Sequence, residues 1–165
     1  MSKRTRQYIG LIAAIITYYI IHEGAHLIYA LSVGAFKQIN FMGLGMQIGV
    51  YDERLSDVQL GVFCLLGPVA TLIAAYALVA AVGKICEAKS KVFKACMYYI
   101  TVAMLLIDPL YLSFLCILFG GGDMNGIALL LPEWIVRVCS GLLLLINVFV
   151  FLKLVLPKYQ KSFSE

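Results

Sequence analysis

Charge is scarce in this 165-residue chain: 9 acidic and 13 basic residues make up 13% of it, against 62% hydrophobic residues. Histidine occurs only twice and tryptophan once, and there is no internal repeat or low-complexity tract. Each shortage excludes something. So few polar groups cannot clothe a water-soluble core of this size, so lipid is the expected solvent. The basic residues sit beside apolar runs and form no stripe, which excludes a nucleic-acid surface. The five cysteines, Cys64, Cys86, Cys96, Cys116 and Cys139, are odd in number, scattered and without a CxxC pair. They read as free, packed thiols, with zinc ligation by any of them the lesser alternative. The longest polar stretch, residues 52–57, leaves no room for a separate soluble domain, so one membrane domain over residues 1–165 is expected.

What is present is apolar length. Four segments, near residues 8–33, 58–82, 92–119 and 134–156, are each long enough to cross a bilayer as a tilted helix. The first is too long for the apolar region of a signal peptide and carries charge in its middle, so it is expected to be retained. Lys3, Arg4 and Arg6 precede the first span, Lys84, Lys89, Lys91 and Lys94 separate the second from the third, and Lys153, Lys158 and Lys161 end the fourth. Only Lys37, Arg54 and Arg137 fall on the other side, which predicts both termini in the cytoplasm. Between the first two spans, residues 36–51 alternate imperfectly around central glycines and predict a β-hairpin. Bare strand edges cannot face lipid, so this hairpin must lie at the interface or line a cavity, where another extended chain could add to it. The fold class is therefore an all-α membrane protein of about four transmembrane helices with a hairpin between the first two.

Both histidines stand in one helical turn of the first span, in His22-Glu23-Gly24-Ala25-His26. Imidazoles four residues apart share a helix face and can converge on one tetrahedral metal, while the glutamate between them can take a proton from activated water. Three ionisable groups in an apolar span are costly unless they face a cavity or bind something, and a metal offsets that cost. A catalytic zinc takes a third protein ligand. Asp123 is the first candidate, because the glycine run before it can bend the chain back into the bundle. Asp108, paired with Pro109, is the alternative, as ligand or as an acceptor that orients a histidine. Glu133 and Asp52 are weaker choices. Tyr18 and Tyr19 read by default as interfacial or packing residues.

These residues resemble the site-2 protease family of intramembrane zinc metalloproteases. The likeness covers about three quarters of the chain: the HExxH helix, Gly67 and Pro68 in the second span, and a later aspartate. Thr71 stands where the family's Gly-Pro-x-x-Asn pattern has its asparagine. The family's third ligand sits in a Leu-Asp-Gly or Asn-Pro-to-Asp-Gly motif, whereas this chain offers Asp108-Pro109 and Gly122-Asp123-Met124-Asn125-Gly126. The resemblance implies a small member without a PDZ-like domain, with His22 and His26 as zinc ligands and Glu23 as general base. It further implies a membrane-spanning or membrane-anchored protein substrate, held extended by the hairpin around Phe41, Gly43 and Gly45. The family commonly sets its site nearer the cytosolic face. A bacterial plasma membrane suits such a chain; the oligomeric state is left open. Two other classes compete: a membrane protein that binds zinc and a partner without cutting it, which intact Glu23 argues against, and a metal-ion carrier, which would need further ligands along a path.

Overall fold

The computed structural model of the protein describes residues 1–42, 45–120 and 122–164, apart from the side chains of Met42 and Phe119. Helix α1, Lys3–Ser32, begins where the Ser2 hydroxyl accepts the Thr5 N–H at 3.1 Å. Its buried face recurs every fourth residue, through Gly10, Ala14, His22, His26 and Ala30, while Ile12, Ile16, Ile20 and Ile28 are exposed. An outward isoleucine face and an inward small or polar face suit a helix solvated by lipid on one side and packed on the other. At 1.5 Å per residue it is about 45 Å long, so it crosses a ~30 Å hydrocarbon core with turns to spare.

The hairpin follows as β1, Phe36–Met42, and β2, Gly45–Val50, antiparallel with Phe41 opposite Met46 and Ile39 opposite Ile48. Phe36 pairs with Val50 but Gln38 with Gly49, so Lys37 is an extra residue on β1. That bulge is why the alternation in the sequence is imperfect.

Helix α2, Asp57–Cys86, opens on a reciprocal Ser56–Gln59 capping box and runs on through Pro68. Helix α3, Lys91–Leu110, is capped by Ser90, runs through Pro109, and continues by a π-helical turn, Tyr111–Leu115, into the short α4, Cys116–Phe119. Gly120 then takes φ +86°, a conformation favouring glycine, and turns the chain back. Helix α5, Gly122–Ile127, re-enters against α2, so close that a Cβ on Gly126 would collide with the Cys64 sulfur. The chain closes with α6, Glu133–Val150, a π-helical turn at Phe151–Val155, and α7, Leu156–Ser164. Four helical segments are long and apolar enough to span, Lys3–Ser32, Asp57–Cys86, Lys91–Leu118 and Glu133–Ser164. The expected four-helix membrane fold with an inserted hairpin is therefore the observed one, although the last helix outruns residue 156 by eight residues.

Two buried polar clamps hold the bundle. Pro109 has no N–H to give the carbonyl of Leu105, and the Asn147 amide donates to that carbonyl instead at 2.6 Å while its oxygen accepts from Tyr76 at 2.9 Å. An unmatched carbonyl in lipid costs several kcal/mol, so this one residue ties α2, α3 and α6 together. At the other clamp the buried Lys94 ammonium donates to the Ser162 carbonyl at 2.7 Å and hydroxyl at 2.6 Å, docking α7 on α3. The start of α1, the α2–α3 turn and α7 thus share one end of the bundle, and the hairpin lies toward the other.

Candidate metal centre

Helix α1 presents His22 and His26 one turn apart, both buried, with ring centroids 4.8 Å from each other. Their Nε2 atoms point at the same patch of α2. A Cβ placed on Gly67 would lie 2.6 Å from Nε2 of His22 and 2.5 Å from Nε2 of His26, so only glycine leaves room for two imidazole edges there. An ion held by both rings would sit between these two nitrogens.

Asp123 enters that space in the first turn of α5. Its Oδ2 is 3.0 Å from Nε2 of His22 and its Oδ1 is 3.5 Å from Nε2 of His26. Ligand atoms bonded to a tetrahedral metal at 2.0–2.1 Å are about 3.3–3.4 Å apart, so these separations bracket what a four-coordinate ion requires. Burial raises the Asp123 carboxyl pKa, but hydrogen bonds and charge from the two histidines outweigh it and bring it down to about 2.

Each imidazole is held from behind. Nδ1 of His26 donates to the Phe63 carbonyl at 2.7 Å, which leaves Nε2 with its lone pair. Nδ1 of His22 lies 3.3 Å from Oδ1 of Asp108, a contact whose direction falls short of a hydrogen bond. Asp108 itself is buried and accepts from the Tyr18 hydroxyl on one oxygen and the Thr71 hydroxyl on the other. Of the two candidate aspartates, Asp123 therefore faces the ion side of His22 and Asp108 stands behind it.

Glu23 is buried beside the histidines, and one ligand atom from each of His22, Glu23 and His26 lies within 4.8 Å of the others. The Glu23 Oε2 accepts the Ile48 N–H of β2 at 2.9 Å, so the free edge of the hairpin borders the site. These groups open on a cavity of about 660 Å³, lined also by Tyr19, Met46, Tyr111 and Leu115. Its size suits a peptide segment rather than a lone ion.

Other expected positions fall elsewhere. Glu133 pairs with Arg137 on α6, and Asp52 begins a short 3-10 turn outside the cavity. Gly45 lines the cavity, Phe41 is 77% exposed away from it, and Gly43 and Gly121 lie outside the described residues. The five cysteines are free, and among the described residues none joins the cluster. Tyr18 is no mere packing residue, since its hydroxyl reaches Asp108; its position one turn before His22 was the available signal. No family model matches the chain, and neither a curated protein nor a solved structure matches it significantly. The site rests on its own geometry, which is that of a buried group able to hold a metal ion in a membrane protein.

Proposed function

We propose that the protein is a zinc-dependent intramembrane endopeptidase of the site-2 protease type, acting on membrane-spanning or membrane-anchored proteins in a bacterial plasma membrane. The observation that carries this reading is the convergence of two imidazole Nε2 atoms and the Asp123 carboxylate beside Gly67, with Glu23 on the same helical turn. Two nitrogens and one carboxylate oxygen form a donor set suited to zinc, and three protein ligands leave a position open. Zinc held there supplies Lewis acidity to a water and to a peptide carbonyl.

The chain's own residues do the rest. Glu23 takes the proton of the attacking water and returns it to the leaving amine, which needs a carboxylate within reach of both. The Phe63 carbonyl keeps the His26 ring turned so that Nε2 faces the ion, and Asp108 stands behind His22 at 3.3 Å. A helical substrate hides its carbonyls, and pairing with the free edge of β2 would hold an unwound segment extended beside Glu23.

The test uses purified protein in proteoliposomes with a membrane-anchored reporter substrate. Glu23→Gln should keep one zinc per chain and cut at least about 100-fold more slowly than wild type. Equal cleavage by the variant removes Glu23 from the chemistry, and a zinc-loaded wild type that captures but never cuts its partner points to a binding protein.

A further inference from the structure

At the end of the bundle away from the metal centre lies a second cavity, of about 540 Å³, between the start of α1, α3 and α7. Its rim is basic: Lys3 and Arg6 line it, and among the described residues neither pairs with a carboxylate. One guanidinium N–H of Arg6 donates to the Met1 carbonyl at 3.1 Å, leaving the remaining donors of the fork for a ligand. Its floor is aromatic, with the Tyr98 and Tyr159 rings edge to face at 5.1 Å and Phe163 beyond. Tyr159 is 1% exposed, so its ring forms the base of this floor while its hydroxyl stays sealed in the core.

We propose that this cavity binds one anionic phospholipid, its phosphate against Lys3 and Arg6 and its first acyl carbons on the Tyr98–Phe163 floor. Helix ends that carry most of the chain's basic residues lie at the headgroup level, where anionic lipid is the abundant partner of matching charge. Basic residues that served only as topology signals would need no cavity at all. A purely apolar groove would hold any lipid tail, and the cations on this rim make it selective for net negative charge.

Native mass spectrometry of the full chain, released from detergent with phosphatidylglycerol or with phosphatidylcholine of the same acyl chains, tests the site. Phosphatidylglycerol should remain bound and phosphatidylcholine should not. Lys3→Gln and Arg6→Gln should each weaken retention about 5-fold and together about 25-fold, whereas Lys37→Gln on the hairpin should leave it unchanged. Soluble glycerol 3-phosphate should fail to displace the lipid. Equal retention of the two lipids, or wild-type retention by the double variant, overturns the proposal. Displacement by glycerol 3-phosphate would instead assign the cavity to a free phosphate ester and overturn the lipid assignment.

Discussion

Replacing Gly67 by alanine would set a methyl group 2.5 Å from Nε2 of His26 and 2.6 Å from Nε2 of His22. Comfortable contact needs about 3.5 Å, so both ring edges would have to retreat by roughly 1 Å. Neither is free to do so, because His26 is bonded to the Phe63 carbonyl and His22 is wedged between Tyr18 and Asp108. Metal bonds tolerate only about 0.2 Å, and overpacking of this kind costs about 1–3 kcal/mol, which taken from ion binding weakens it about 5- to 150-fold. The assay is competition with a chelator of known zinc affinity, in detergent. Gly24→Ala is the matched control. It lies between the two histidines, yet a Cβ there meets nothing within 4 Å, and alanine in a helix interior is worth about 0.5–1 kcal/mol of added stability. Tight wild-type zinc binding by Gly67→Ala, or equal losses in both variants, would refute the argument.

Asp123→Ala should lose bound zinc outright, whereas Asp108→Asn should keep it with about 10- to 100-fold lower affinity, as expected of a group behind a ligand; elemental analysis and chelator titration separate the two. Asn147→Ala leaves the Leu105 carbonyl unmet and should cost about 1–3 kcal/mol in detergent unfolding, with zinc affinity unchanged. A C-terminal fluorescent-protein fusion that matures only in the cytoplasm should fluoresce if the basic end is cytoplasmic. A dark fusion would invert the chain and move the metal centre to the cytoplasmic leaflet.

The helices were legible because lipid makes the pattern simple: long apolar runs, with the polar face of α1 recurring every fourth residue. His22, Glu23 and His26 were legible for the same reason, since spacing along one helix fixes a shared face. The candidate third ligand was harder. Asp108 and Asp123 are both aspartates next to helix-breaking residues, and only the three-dimensional path shows that one meets Nε2 of His22 and the other Nδ1. Two partners were out of reach because they are backbone groups, the Ile48 N–H and the Phe63 carbonyl, which every sequence contains at every position. Gly67 was visible as part of a Gly-Pro pair, but its reason, the two imidazole edges against it, needed the packing of α1 on α2. Asn147 gave no signal toward Pro109, from which it is far in sequence.

The order of the donors along the chain has a consequence for biosynthesis. His22 and Asp123 are 101 residues apart, and two membrane-spanning helices separate α1 from the re-entrant turn that carries the aspartate. A nascent chain therefore exposes two imidazoles to the membrane long before the carboxylate exists, and two ligands hold an ion weakly. If Asp123 is the third ligand, the complete site forms only after α5 has folded back against α2, so ion loading would mark a chain in which α1, α2 and α5 have met, whether or not α6 has yet docked.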